Sequence, residues 1–176
     1  MNIVDKVKSK IRDVKDFPKP GIIFKDVTPL LSDPQLCVEI VNALANHWQH
    51  MRVDAVVGIE SRGFLFGMLL AQSMEVPFIP VRKQGKLPWN TISHSYALEY
   101  GEATVEVHTD SIDPNWNVLV HDDLLATGGT ADAAAELIKK LKGTVAGFSF
   151  LVELEFLEGK TKLNEHNTEI RSLIYY

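Results

Sequence analysis

Asp122 and Asp123 stand side by side between an apolar run and a glycine-rich turn, within VLVHDDLLATGGT at residues 118–130. The apolar run, broken only by His121, has the length and composition of a buried parallel strand, which predicts that the two aspartates emerge at its carboxyl edge. Ligands of open α/β sheets bind outside that edge. Ala126, Thr127, Gly128, Gly129 and Thr130 follow, and their backbone amides can wrap an anion because glycine permits close approach and positive φ. From Ala131 onward, apolar residues at 131, 134, 135, 138 and 141 alternate with Asp132, Glu136, Lys139, Lys140 and Lys142 at the period of an amphipathic helix. An anion in the turn therefore also meets a helix N-terminus.

The carboxylates restrict what that anion is attached to. Beside a phosphate cradle they repel a bare polyphosphate, so they require hydroxyl donors or a cation. A ribose 5-phosphate supplies hydroxyls and phosphate together. The segment is not a Walker A loop, since no G-x-x-x-x-G-K-[ST] occurs in the chain, and it is not a dinucleotide fingerprint.

Two further segments repeat the strand-to-loop pattern. In VVGIESRGFLFG, at residues 56–67, Ser61 and Arg62 precede a helix start, and the guanidinium fork matches phosphate oxygens in pairs. In VRKQGK, at residues 81–86, Arg82, Lys83 and Lys86 place three cations at another strand end, where they can neutralise a departing anion. A sugar with a phosphate at one end and a pyrophosphate at the other, such as phosphoribosyl pyrophosphate, matches all three features.

These loops need a sheet to hold them. The 176 residues are of single-domain length, and 45% hydrophobic content suffices for one core. A net charge of −5 without a long basic run argues against a nucleic-acid or membrane-surface binder. The single cysteine, Cys37, excludes an intramolecular disulfide and multi-cysteine metal sites, and fits the cytoplasm. The first residues form a charged amphipathic segment with Ile3, Val4, Val7, Ile11 and Val14 on one stripe, without a signal-peptide core, and no stretch has transmembrane length.

Periodicity predicts helices over that first segment, 36–48, 64–74 and from 131, and strands over 53–59, 76–82 and 145–154. Alternating segments at 95–98 and 104–108 predict an antiparallel ribbon after the turn-rich 84–90, and residues 160–176 read as a helix or turn plus a short strand. The βαβα order implies a parallel sheet covered by helices on both faces. His47 and His50 lie on a helix face with no third ligand near in sequence, which reads as a solvated face.

FPKPGIIFKDVTPLL, VVGIESRGFLFG, PVRKQGKLP, SYALEYG, DDLLATGGT and LVEL occur here in one order, and this set resembles the type I phosphoribosyltransferases, in particular those that use adenine. The resemblance spans nearly the whole chain. It implies a central, mainly parallel sheet flanked by helices, a small hood built from residues 1–34 and the C-terminal segment, and a flexible antiparallel lid loop over 84–106. It also implies transfer of phosphoribose from phosphoribosyl pyrophosphate to adenine, giving AMP and pyrophosphate with Mg²⁺, in a cytoplasmic homodimer.

The resemblance assigns roles residue by residue. Ala126, Thr127, Gly128, Gly129 and Thr130 would hold the 5-phosphate, and Asp122 and Asp123 the ribose hydroxyls, directly or through a Mg²⁺ shell held mainly by substrate. Ser61 and Arg62 match the pyrophosphate loop, where a cis non-proline peptide is common. Arg82, Lys83 and Lys86 match basic positions near pyrophosphate, some reached across the dimer. Ile23, Phe24, Lys25 and Leu154 match the adenine pocket.

The related hypoxanthine and guanine enzymes carry an aspartate where Ala126 stands; in the adenine enzymes that the chain resembles, a glutamate on the lid handles the purine proton instead, and the match to SYALEYG implies that role for Glu99, with Tyr100 beside it. The sequence departs from the pattern twice. Lys25 replaces a frequent arginine, and His121 an apolar residue, for which a buried, hydrogen-bonded role is expected. The competing readings are a transferase for another purine base, against which Ala126 and SYALEYG argue, and a non-catalytic phosphoribosyl pyrophosphate sensor, which needs a nucleic-acid surface that is not evident.

Overall fold

The computed structural model describes residues 2–98 and 101–176. Helix α1 (Ile3–Lys10) is capped by Asn2, whose side chain accepts from the Asp5 amide. The apolar stripe predicts a helix continuing past Ile11, yet the chain turns extended into β1 (Arg12–Lys15), which runs antiparallel to β2 (Ile23–Asp26). Pairing overrides the helical period: Val14 opposes Phe24, and Arg12 and Asp13 face Asp26 and Lys25, each as a cross-strand ion pair. Among the described residues these two strands pair only with each other and form a separate small sheet.

The central sheet has seven strands. Its members are β3 (Ala55–Ile59), β4 (Phe78–Lys83), β5 (Thr91–Ala97), β6 (Glu102–His108), β7 (Asn117–Leu125), β8 (Thr144–Glu153) and β9 (Glu169–Tyr175), in the order β5-β6-β4-β3-β7-β8-β9. The five strands from β4 to β9 are parallel, and the expected ribbon, β5 with β6, extends the edge antiparallel beside β4.

Both faces are covered. Helices α1, α2 (Pro34–Trp48) and α3 (Gly63–Ser73) bury Val7, Ile40, Trp48, Phe66 and Leu70 against Val56 and Leu119. On the opposite face α4 (Gly129–Lys140), with α5 (Gly159–Leu163), buries Ala134, Leu137 and Ile138 against Val57 and Val120. Alternate residues of β3 and β7 thus enter opposite cores, which is why these strands read as continuous apolar runs.

The opening strand is longer than the sequence implies. β7 stays paired with β8 through Leu125, whereas its pairing with β3 ends at His121. Asp122 and Asp123 therefore lie within β7 but beyond its shorter neighbour, which leaves them at an opening in the sheet. Among the described residues, no helix is long and apolar enough to cross a membrane.

Candidate functional site

The turn after β3 delivers Ser61 and Arg62 to that opening. The Glu60–Ser61 peptide bond is cis. Gly63 then starts α3 against β7, and a Cβ at this position would meet Asp122 Oδ1 at 2.6 Å and Asp122 Cα at 3.1 Å. Only glycine lets the loop approach the aspartates this closely. Arg62 Nε consequently lies 2.9 Å from Asp123 Oδ2, an ionic contact in which Asp123 is buried and Arg62 keeps part of its surface. The guanidinium also lies 4.6 Å from the centre of the Phe24 ring, which Phe17 meets edge-on at 5.1 Å.

A cleft of about 640 Å³ results, lined by Phe17, Phe24, Glu60, Ser61, Arg62, Lys83, Asp122, Asp123 and Leu124. Its rings and Leu124 supply apolar surface suited to a flat base, beside the charged groups of the cleft. A smaller hollow is lined by Ala126, Thr127, Gly128, Gly129, Thr130 and Ala131, and it shares Asp122 and Leu124 with the cleft. One ligand can span both.

The glycine turn is fixed by its surroundings. Gly128 has φ +81° and precedes α4, and a Cβ there would lie 2.6 Å from the Gly159 carbonyl oxygen below it. The hollow therefore sits at the N-terminus of a twelve-residue helix. On its rim the Tyr96 and Thr130 hydroxyls are hydrogen-bonded at 2.9 Å, and Lys140 donates to the Ser93 carbonyl, so β5 docks along α4.

Charge in the cleft is unevenly held. Burial, with the negative charge of Asp123 beside it, raises the Asp122 carboxyl well above the usual carboxylate range. Burial raises Asp123 as well, against the pull of Arg62. Glu60 behaves in the opposite way: burial alone would raise it, but the Lys83 amide and Arg82 hold it below its ordinary value. Hard oxygen donors at Asp122 and Asp123 suit a divalent cation coordinated chiefly by substrate oxygens.

The basic strand end divides its labour. Lys83 lines the cleft. Arg82 instead donates to Glu60 and to the Lys86 carbonyl, while buried Glu106 accepts from the amides of Lys86 and Leu87. Glu60 and Glu106 thus fix the turn bearing Lys83 and Lys86. Neither Glu60 nor Glu106 stands out from sequence as a functional residue. Glu60 precedes the Ser-Arg pair, but nothing local marks Glu106, whose role depends on β6 lying beside β4.

On the base side, Phe24 faces the cleft, whereas Lys25 is directed elsewhere: its Nζ lies 2.7 Å from Asp13 Oδ1 and 3.9 Å from the centre of the Tyr176 ring. Ile23 is half exposed, and Leu154 follows β8 with its amide on the Leu125 carbonyl. Phe17 and Leu124 join the lining without having been singled out from sequence. Glu99 and Tyr100 lie outside the described residues.

His121 is fully buried, with Nδ1 3.3 Å from Ser149 Oγ, and burial lowers it to about 4. It is a core residue, as expected. His47 and His50 are exposed, the latter 3.1 Å from Glu169.

A parallel sheet with a phosphate-sized hollow at a helix start, joined to a cleft of paired carboxylates and an arginine loop, defines an α/β enzyme that handles a sugar phosphate. The sequence model of the phosphoribosyl transferase domain matches residues 27–173. The adenine phosphoribosyltransferase of Cytophaga hutchinsonii is 54% identical over 97% of this chain and 94% of its own length. Among solved structures, adenine phosphoribosyltransferase from Thermoanaerobacter pseudethanolicus superposes with a TM-score of 0.95 at 44% identity, covering 98% of this chain and 99% of that one. The Saccharomyces cerevisiae enzyme, solved with an imino-altritol bisphosphate and adenine, gives 0.92 at 37% identity over 97% and 98%. The chain belongs to the phosphoribosyltransferase family, within its adenine phosphoribosyltransferases.

Proposed function

We propose that this protein transfers the 5-phosphoribosyl group of phosphoribosyl pyrophosphate to adenine, forming AMP and pyrophosphate in purine salvage. The observation that carries the reading is the junction of the glycine-turn hollow with the Arg62–Asp122–Asp123 cleft, because a single ribose must place its 5-phosphate in one and its C1 substituent in the other. The relatives supply the base: every near one described above is an adenine enzyme.

Each residue then has a task. The amides of 126–130 and the Thr127 and Thr130 hydroxyls hold the 5-phosphate at the start of α4. Asp122 and Asp123 accept from the ribose hydroxyls and orient the ring. Ser61 and Arg62 hold the pyrophosphate, and Lys83 and Lys86 add positive charge as it leaves, while Arg82, tied to Glu60 and the Lys86 carbonyl, holds the turn that carries them. Asp122 and Asp123 offer the hard oxygen donors that would help hold Mg²⁺ beside the substrate, where the ion would neutralise pyrophosphate charge. Ile23, Phe24 and Leu154 build the adenine pocket from the hood, with Lys25 contributing its main chain while its side chain is held by Asp13 and Tyr176. Glu99 exchanges the purine proton, and Tyr100 closes beside it on a lid over 84–106.

The protein acts as a cytoplasmic homodimer. Support comes from α3, which begins at the Arg62 loop and leaves Leu65, Met68 and Leu69 exposed, the last lining one groove with exposed Val38 of α2. A second copy packed there would cover these exposed apolar side chains.

Pure protein incubated with Mg²⁺, phosphoribosyl pyrophosphate and single purine bases tests the assignment. AMP is expected from adenine, with hypoxanthine and guanine used poorly. Better use of hypoxanthine would replace the reading with another purine transferase, and turnover of no base would leave a phosphoribosyl pyrophosphate sensor.

A further inference from the structure

The small sheet of β1 and β2 carries one wall of the cleft but, among the described residues, shares no ladder with the central sheet. Its position depends on side-chain contacts. Arg62 lies over Phe24 on the cleft face. On the other face, Lys25 is only 13% exposed, its ammonium clasped between the Asp13 carboxylate at 2.7 Å and the Tyr176 ring at 3.9 Å. Lys8 of α1 approaches the same ring at 5.1 Å.

Tyr176 is itself anchored at both backbone groups. Its amide donates to the Glu153 carbonyl at 3.0 Å, and its carbonyl accepts from the Glu155 amide at 2.9 Å. Those two residues flank Leu154. A single aromatic residue just past β9 therefore holds the segment around Leu154 through its main chain and the β2 segment through its ring.

We infer that Tyr176 is a positioning residue for base recognition, fixing the distance between the two segments, Ile23–Phe24–Lys25 and Leu154, that form the adenine pocket. The inference rests on the proposed assignment of those segments to adenine. Tyr176 does not line the cleft, so it acts through Lys25 and Leu154 rather than by touching the base. The contact on Lys25 requires a π face and a cation, and the ring offers the ammonium an attraction that an aliphatic side chain of similar bulk lacks. It leaves the ribose and phosphate contacts on β7 and α4 unaltered.

The test compares wild type with Tyr176→Leu, which keeps apolar bulk, Tyr176→Phe, which keeps the ring, Lys25→Met, and the Leu–Met double variant. Tyr176→Leu and Lys25→Met are each expected to raise KM for adenine about 3- to 10-fold, with kcat and KM for phosphoribosyl pyrophosphate changed by less than about twofold. Tyr176→Phe should restore the wild-type KM, and the double variant should be no worse than the poorer single one. An unchanged adenine KM in Tyr176→Leu, an equal rise in both KM values, or additive effects in the double variant would overturn the inference.

Amide hydrogen exchange gives a readout independent of turnover. The β2 amides should exchange faster in Tyr176→Leu and Lys25→Met than in wild type or Tyr176→Phe, and equal rates in all four would overturn the brace. Absence of AMP formation by wild type would contradict the proposed function, and exchange would still decide whether Tyr176 braces β2.

Discussion

Arg62 faces Asp123 at 2.9 Å across the opening where β3 has ended and β7 continues. The pair joins the loop assigned to pyrophosphate to the strand assigned to ribose, so the two halves of the substrate site share one electrostatic contact. Breaking it affects both.

Arg62→Ala removes a fork of donors from the pyrophosphate side and leaves Asp123 buried without its cation. Loss of a charge-assisted contact of about 1.5–3 kcal/mol predicts a rise of about 10- to 100-fold in KM for phosphoribosyl pyrophosphate. Steady-state kinetics should show a smaller rise in KM for adenine, from loss of the Arg62 contact on Phe24. An unaltered KM for phosphoribosyl pyrophosphate would remove Arg62 from that role.

Glu99→Leu should lower turnover by about 10²- to 10⁴-fold, the range of a proton-transfer residue, while binding of phosphoribosyl pyrophosphate stays near wild type. Rapid-quench turnover and calorimetric titration separate the two effects. Unchanged turnover would assign the proton to another group.

Tyr96→Phe deletes the hydroxyl that meets Thr130 on the rim of the phosphate hollow. In urea the variant should be less stable by about 1 kcal/mol, the net value of such a bond. With phosphoribosyl pyrophosphate added, the deficit should shrink as a phosphate oxygen takes over the Thr130 hydroxyl. A deficit independent of substrate would mean that the phosphate does not reach Thr130.

His121 gives a pH dependence of stability with a definite sign. Burial lowers its folded value to about 4 from an ordinary 6.5, so between these values the unfolded chain binds the proton more readily. Stability contributed by the neutral ring is present above pH 6.5 and falls by about 3 kcal/mol as the pH drops toward 4. Urea unfolding of wild type and His121→Val across this range should show the slope in wild type and a shallower one in the variant. Parallel curves would contradict the assignment.

Much of this architecture was legible in local pattern. The apolar runs of β3 and β7 announced strands covered on both faces, and the turn at 126–130 announced its hollow, because a glycine turn before a helix needs only its own backbone to bind an anion. Ser61 and Arg62 were likewise visible at a strand end. The segment after α1 was not: its helical stripe lost to the pairing of β1 with β2, a contact between residues that lie apart in sequence. The reach of β7 past the aspartates depended on the lengths of its two neighbours.

The sequence by itself determined which groups could meet a ribose phosphate, since amide-rich turns, paired carboxylates and strand-end cations are local chemistry. Tertiary structure decided which charges are available to a ligand and which are committed to the protein. Arg82 and Lys83 are neighbours of like charge, yet one is tied to Glu60 and the other lines the cleft. Lys25 sits beside the base wall in sequence but is turned onto Asp13 and Tyr176. Side-chain direction follows from strand alternation, but its partner is set by what the rest of the fold brings to that face, and no local pattern records it.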